Sequence, residues 1–306
     1  MTDALPNTIC YLNGDYTPLK DAKISVLDRG FIFGDGVYEV LPAYAGKLFR
    51  FSHHMARLDR SLAELRITNP LAPDEWRQIA TTLIAAHARE TLAAASNAIQ
   101  TEAEIALCPD FDQIIYIQVS RGVALRDHVM PPGLQPTVFV MINPMKVPSA
   151  QARAKGVACV TADDFRWEKA HIKSTSLLGA VFSRQISADA GALETIMFRG
   201  DYLSEAAASN VWVVKNGTVL GPPKDKLVLE GIRYALFEEL CKANHIGFDL
   251  RRITRAEVFQ ADELLLSSAT KEVLPVTVLD GKAVGSGRPG PVYAALYAAY
   301  QQAKAA

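Results

Sequence analysis

A chain of 306 residues, 49% hydrophobic and 21% charged, is long enough to bury one large core or two modest ones. Its formal charge of −1, with no local run of lysine or arginine, removes the electrostatic basis for binding nucleic acid and leaves small-molecule chemistry as the expectation. No apolar stretch is long enough to span a bilayer, and Met1 to Pro6 lacks a basic segment followed by an apolar one, so no membrane contact and a cytoplasmic location are expected.

Ile9 to Leu12 and the residues after Tyr16 read as strands around Asn13-Gly14, a dipeptide suited to a tight hairpin turn. Val37 to Tyr44 and Lys47 to Phe51 form a second hairpin about Ala45-Gly46, approached through Gly30, Gly34 and Gly36, which allow close backbone packing. Ser52 then caps a helix whose Phe51, Met55, Leu58, Leu62 and Leu65 advance by fours and threes and bury one face. A second helix begins near Asp74-Glu75 and runs through Trp76, Ile79 and Leu83 into the alanine-rich stretch Ala85 to Ala95. Ser96 to Gln113 has weak periodicity and contains Pro109, so it reads as an irregular insertion. Ile114 to Arg121 and Thr137 to Asn143 are buried strands, and Pro144, Pro148 and their polar neighbours mark a connection. The expected division is a small N-terminal α/β domain (1–144), a linker (145–150) and a larger C-terminal domain (151–306) that carries Lys173.

In the second half, Val157 to Thr161, Glu194 to Phe198, Ser209 to Lys215, Glu263 to Ser268 and Val273 to Leu279 are strand-like and alternate with helical patterns. Asn216-Gly217, Asp280-Gly281 and Arg199-Gly200-Asp201 suit hairpin turns, and Thr254 with Glu257 is a capping-box signature. The fold class is α+β, in two mixed α/β domains. Gly30 to Gly36 lacks dinucleotide-binding spacing and no GxxxxGK[ST] sequence occurs, which weakens nicotinamide and nucleoside-triphosphate readings. His53, His54, His128 and His171 show no metal-ligand spacing, so no metal is expected. Cys10, Cys108, Cys159 and Cys241 lie far apart and read as buried free thiols. Tyr293, Tyr297 and Tyr300 recur at helical spacing and are expected to pack rather than bind ligand.

Chemistry enters at His171-Ile172-Lys173-Ser174, where a lysine stands among apolar and small residues just before the helix around Leu177 to Ile186. Burial or a neighbouring cation makes a lysine amine lose its proton and act as nucleophile and base. A lone lysine is ordinarily a snorkelling surface side chain, so the other segments decide. The run His171-Ile172-Lys173-Ser174-Thr175-Ser176-Leu177-Leu178 resembles the lysine segment of the fold-type IV pyridoxal-phosphate enzymes. Leu203-Ser204-Glu205-Ala206-Ala207-Ala208-Ser209-Asn210-Val211 is similar to that family's glutamate-plus-asparagine segment. Gly231-Ile232, Leu266-Ser267-Ser268-Ala269-Thr270, Gly34-Asp35-Gly36-Val37-Tyr38-Glu39 and His54-Met55-Ala56-Arg57-Leu58 resemble further segments, so the likeness covers nearly the whole chain.

The resemblance implies a class IV aminotransferase that works as a homodimer with its active site between the domains. It implies pyridoxal 5′-phosphate held by Lys173 as a Schiff base, the same amine then moving the proton between substrate Cα and cofactor C4′. Glu205 faces the pyridine nitrogen and keeps it protonated, with Ser209 and Asn210 in the same cofactor-binding segment. Arg57 holds phosphate oxygens, helped by the backbone N–H groups of Ile232 and Arg233 at a helix start, by Ser268, by the Ala269 backbone and by Thr270. Close relatives often carry a hydroxyl residue where this chain has Arg233, so the likeness gives that side chain no contact.

Arg126 and His128, two apart after the strand Ile114 to Ser120, can point to one side of a looped backbone and bind a carboxylate together, with Tyr38 adding a hydroxyl. This arrangement resembles the carboxylate trap of D-amino-acid aminotransferases. The Cα–H bond must stand perpendicular to the cofactor ring on the lysine side, so fixing the carboxylate fixes the hand of the substrate. The implied reaction takes a D-alanine-like donor and a 2-oxo acid acceptor such as 2-oxoglutarate. A branched-chain L-amino-acid aminotransferase, an aminodeoxychorismate-type carbon–carbon lyase and a non-catalytic cofactor-binding protein stay open as alternatives.

Overall fold

Period-two alternation builds the first part of the chain into an antiparallel sheet. The structure is a computed structural model that describes residues 7–95 and 112–305, and the chain divides into two compact units. The first takes the chain up to Met145 together with Ile172–Ser176; the second takes Lys146–His171 and everything from Leu177 onward.

In the first unit the described elements are β1 (Ile9–Leu12), β2 (Asp15–Pro18), α1 (Arg29–Phe33), β3 (Gly36–Tyr44), β4 (Lys47–Leu48), α2 (Phe51–Glu64), α3 (Pro73–Ala95), β5 (Gln113–Ser120) and β6 (Thr137–Pro144). The strands form one sheet in the order β2-β1-β6-β5-β3-β4, with every pair antiparallel. Ile115, Ile117 and Val119 of β5 and Val138, Val140 and Ile142 of β6 face inward. They meet Phe51, Met55, Leu58 and Leu62 of α2 and Trp76, Ile79 and Leu83 of α3 in one apolar core, each such side chain contributing about 1.5–3 kcal/mol.

Three details differ from expectation. The return strand of the second hairpin ends at Leu48, short of Phe51. Helix α2 starts without a hydroxyl cap: Arg50, at φ 54°, takes the N-cap position and Phe51 is already helical, so Ser52 lies inside the first turn. Burial of Phe51, rather than capping by Ser52, fixes that end. Third, Lys173 belongs to the first unit and not to the C-terminal domain. Beside Gly36–Tyr38 the edge of β3 opposite β5 would leave backbone groups unpaired, and the lysine segment satisfies them. Tyr38 N–H donates to the Lys173 carbonyl at 2.9 Å, Thr175 N–H to the Gly36 carbonyl at 2.9 Å, and Val37 bridges to Ser174. Gly34 makes the approach possible, because a Cβ there would stand 2.7 Å from the Ser176 hydroxyl. The expected insertion Ser96 to Gln113 lies outside the described residues except for its last two.

In the second unit the described elements are α4 (Ala150–Lys155), β7 (Val157–Asp163), α5 (Leu178–Asp189), β8 (Glu194–Arg199), β9 (Tyr202–Ala206), β10 (Asn210–Lys215), β11 (Thr218–Gly221), α6 (Ile232–Ala243), β12 (Gly247–Leu250), α7 (Arg255–Phe259), β13 (Glu263–Ser268), β14 (Glu272–Leu279), β15 (Lys282–Ala283) and α8 (Pro291–Ala305). Their sheet runs β12-β11-β10-β13-β14-β7-β8-β9, with β15 added on β14. It is mixed, with β7 parallel to β8 and β14 and β12 parallel to β11. Leu264, Leu265 and Leu266 of β13 are all buried, which is why this central strand reads as a continuous apolar run. Thr254 and Glu257 form the reciprocal capping box at α7. The two units give the α+β class.

Cys10, Cys159 and Cys241 are free and buried, and burial pushes the thiols of Cys159 and Cys241 up to about 12; Cys108 lies outside the described residues. Among the described residues no helix is long and apolar enough to cross a membrane, and no group of His, Cys, Asp and Glu could hold a metal ion.

Candidate functional site

In the first unit the lysine segment lies along β3, and its residues are fixed from two sides. Lys173 N–H donates to the Ser61 hydroxyl of α2 at 3.3 Å while its carbonyl accepts from Tyr38. The side chain is half-buried, with Nζ 4.1 Å from the centroid of the Tyr38 ring. Tyr38 in turn stacks on Tyr116, with centroids 5.7 Å apart. Two of the expected site residues, Lys173 and Tyr38, are thus in direct contact.

Arg57 is buried on α2 and its fork is closed on a carboxylate of the neighbouring strand. Nε donates to Glu39 Oε1 at 2.7 Å and Nη2 to Glu39 Oε2 at 2.8 Å, and His54 Nδ1 lies 2.8 Å from Oε2. Burial by itself would raise the Glu39 carboxyl, but the charge and hydrogen bonds of Arg57, with His54, hold it well below the usual carboxylate range. Sequence reasoning did not find Glu39 as this partner.

Arg126 and His128 are exposed on the loop after β5, and both turn toward Phe33 of α1. The Arg126 guanidinium stands 5.5 Å from the centroid of that ring and the His128 ring 5.4 Å from it. Between them, the Asp127 carbonyl accepts from Arg29 Nη1 at 2.6 Å. Arg29 Nε also donates to Asp35 at 2.7 Å, and Asp35 takes Nε and Nη2 of Arg121 at 2.7 and 3.0 Å. A buried ion network therefore anchors the loop, and the Arg126 and His128 side chains both pack against Phe33.

In the second unit Glu205 sits buried on β9. Its Oε1 pairs with Arg166 Nη1 at 2.8 Å, and the Leu229 N–H donates to its oxygens at 3.2 and 3.3 Å. Arg166 is shared, because its Nε and Nη2 donate to Asp164, each at 2.9 Å. Burial pushes the Glu205 carboxyl up while Arg166 pulls against it. Asn210 Nδ2 donates to the Leu229 carbonyl at 3.0 Å and reaches Glu205 Oε2 at 3.5 Å. A Cβ on Gly231 would collide with the Asn210 amide oxygen, so only glycine fits before α6. Arg166 lies in a loop after β7, where neither period nor motif marks it.

The remaining candidates gather at strand and helix ends of the same unit. Asn210 pairs with Ser267, which places Ser209 and Asn210 beside the turn from β13 to β14 that carries Ser268, Ala269 and Thr270. Ser209 donates to Glu194 Oε2 at 3.0 Å, and Lys271 Nζ meets that same oxygen at 3.0 Å. Gly231 caps α6 without a side chain, and Ile232 and Arg233 form the first turn. Arg233 is buried, with Nη2 donating to the Tyr300 hydroxyl at 2.8 Å and reaching the Ala269 carbonyl at 3.4 Å. A buried carboxylate, an uncapped helix start and nearby hydroxyl residues suit a flat group with a basic ring nitrogen and a phosphate.

The sequence profile of the family described as amino-transferase class IV matches residues 36–279. The D-alanine aminotransferase of Bacillus licheniformis is 35% identical over 280 residues, 92% of this chain and 91% of that protein. That of Staphylococcus haemolyticus is 32% identical over 286 residues, 93% of this chain and 94% of its own. Among solved structures, the branched-chain amino acid aminotransferase of Escherichia coli superposes with a TM-score of 0.80 at 23% identity, covering 97% of this chain and 94% of that one. The branched-chain aminotransferase of Thermoproteus uzoniensis with norvaline gives 0.80 at 21% identity, covering 96% and 94%. At such identities the structural likeness speaks for the fold alone.

Proposed function

The chain belongs to the class IV aminotransferases, and from that premise we propose that it transfers the amino group of D-alanine-like D-amino acids to a 2-oxo acid such as 2-oxoglutarate. The cofactor of these enzymes, pyridoxal 5′-phosphate, supplies an electron sink for the bond broken at the substrate Cα and carries the amino group between half-reactions. Lys173 is assigned to hold it and to move the proton at Cα, a task helped by a backbone fixed to Tyr38 and Ser61. Glu205 is assigned the ring nitrogen, since a carboxylate pushed up by burial gains from a cation placed beside it. Ser209 and Asn210 belong to its surroundings. The phosphate is assigned to the N–H groups of Ile232 and Arg233, to Ser268, the Ala269 backbone and Thr270, and to the charge of Arg57, whose fork lies on Glu39.

The observation that carries the D-amino-acid reading is the convergence of Arg126 and His128 on Phe33, in a chain 35% identical to a D-alanine aminotransferase. Two donors fixed on one side take a carboxylate in one orientation, and one enantiomer alone then offers its Cα–H to Lys173. Tyr38 is assigned a hydroxyl contact to the same substrate. The working form in this reading is a homodimer, which sedimentation equilibrium checks as twice the mass of the chain.

The test is a panel of D- and L-amino acids with 2-oxoglutarate. Turnover of D-alanine that requires the acceptor is expected. Turnover of branched L-donors alone would overturn the hand assigned, acceptor-independent release of pyruvate would make the protein a lyase, and colour without amino transfer would leave a binding protein.

A further inference from the structure

We propose that Tyr300, in the last turns of α8, is a positioning residue for the cofactor phosphate, acting through Arg233. The proposal rests on the assignment of Ile232, Arg233, Ser268, Ala269 and Thr270 to that phosphate. Arg233 leaves the first turn of α6 and is 2% exposed, so its charge is satisfied by neighbours rather than by bulk water. Its Nη2 meets the Tyr300 hydroxyl oxygen at 2.8 Å and the Ala269 carbonyl at 3.4 Å. One guanidinium therefore ties a helix start, a hairpin turn and the C-terminal helix together. The Tyr300 ring is fully buried, with its centroid 5.8 Å from the same guanidinium, so its hydroxyl has a fixed place from which to accept.

The far end of the same turn is held by the same helix. Glu272 takes a left-handed backbone at φ 58°, a strained choice for a residue with a side chain. Its carboxylate accepts from Lys304 Nζ at 2.8 Å and Gln301 Nε2 at 3.1 Å, both in the last turns of α8, and from Arg153 Nη2 at 2.8 Å. The turn that presents Ser268, Ala269 and Thr270 is thus gripped at both ends by α8. The grip through Arg233 adds a buried positive charge beside the uncapped helix start, where it favours an anion over a neutral group.

A brace that serves the phosphate differs from one that serves the fold alone, because it acts on phosphate-bearing ligands only. The experiment strips the cofactor from the holoenzyme and titrates the apoenzyme with pyridoxal 5′-phosphate and, separately, with pyridoxal. Tyr300→Phe keeps the buried ring and removes the acceptor, and is expected to weaken pyridoxal 5′-phosphate by about tenfold, the scale of one hydrogen bond to a charged group, with pyridoxal unaffected. Arg233→Lys, which keeps the charge and loses the fork, is expected to give a loss of the same kind. An equal loss for both ligands, or a loss for neither, overturns the proposal. If wild-type apoenzyme binds pyridoxal as tightly as its phosphate, the phosphate assignment itself falls and takes the role of Tyr300 with it. Should either variant fail to fold, hydrogen exchange of the unmodified chain decides. Amides in the last turns of α8 are expected to gain protection on adding inorganic phosphate, and unchanged exchange would sink the idea.

Discussion

Glu39 in the first unit and Glu205 in the second are both buried carboxylates paired with an arginine, yet their proton affinities move in opposite directions. Glu39 receives both arms of Arg57 and the ring of His54, and those contacts outweigh burial. Glu205 receives one arm of an arginine whose other donors serve Asp164, so burial prevails. The number of guanidinium arms turned to it, more than the mere presence of an arginine, separates a buried carboxylate that is an anchor from one that responds to an incoming charge. Glu39 steadies the strand along which Lys173 lies. Glu205 is left to gain from a further cation.

If Glu39 is the saturated anchor, Glu39→Gln leaves Arg57 buried against a neutral amide and should cost about 3–5 kcal/mol, read as a lower denaturant midpoint. A midpoint within error of the parent would mean that the pair adds nothing. Glu205→Gln should act on the reaction instead, lowering amino transfer by about a hundredfold while the denaturant midpoint changes much less than in Glu39→Gln. Unaltered turnover would remove the ring-nitrogen assignment.

The pH dependence of apoenzyme stability should separate the two carboxylates with opposite signs. Glu39 has a lowered value, so its contribution is present above the ordinary carboxylate value of 4.5 and lost as pH falls below it. Glu205 has a raised value, so its contribution is complete below 4.5 and lost as pH rises through the folded-state value. Glu39→Gln should therefore flatten the acid limb of a melting-temperature profile, and Glu205→Gln should flatten the decline on the other side of 4.5. Identical profiles for the two variants would contradict the opposed shifts. The weakest response belongs to the exposed loop of the first unit. Phe33→Leu removes the ring under Arg126 and His128 and should raise the KM for the amino donor about threefold, as expected for exposed cation–π contacts. A KM that stays put would show that Phe33 does not place the two side chains for the donor.

Much of this arrangement is written locally. Lys173 and Glu205 lie in segments whose order carries the family likeness, and the strands from Ile115 to Leu279 announce themselves by apolar runs between turn dipeptides. Contacts made across the sequence leave no such mark. Arg57 and Glu39 lie in segments that carry the family likeness, but their pairing arises only when α2 packs on β3. Arg166 gains its meaning from being divided between Asp164 and Glu205, which no spacing encodes. Tyr300 reads as helix packing, and packing it is, but its hydroxyl also faces Arg233 from 67 residues away. The start of α2 is not legible because Arg50 takes the N-cap position in a left-handed conformation with no side-chain cap, one residue before the buried Phe51. The placement of Lys173 is not legible because the segment joins β3 without forming a strand of its own.

That last feature bears on how the chain is made. Val37 pairs with Ser174, so the edge of β3 beside it stays open until the lysine segment has been synthesised. At ordinary elongation rates the delay is on the order of ten seconds. For that interval a nascent chain carries an uncovered strand edge of the kind that recruits other chains. Lys173, the residue proposed to hold the cofactor, thus lies in the piece that closes the first unit, and a polypeptide stalled before Ile172 would leave that edge open and be prone to associate.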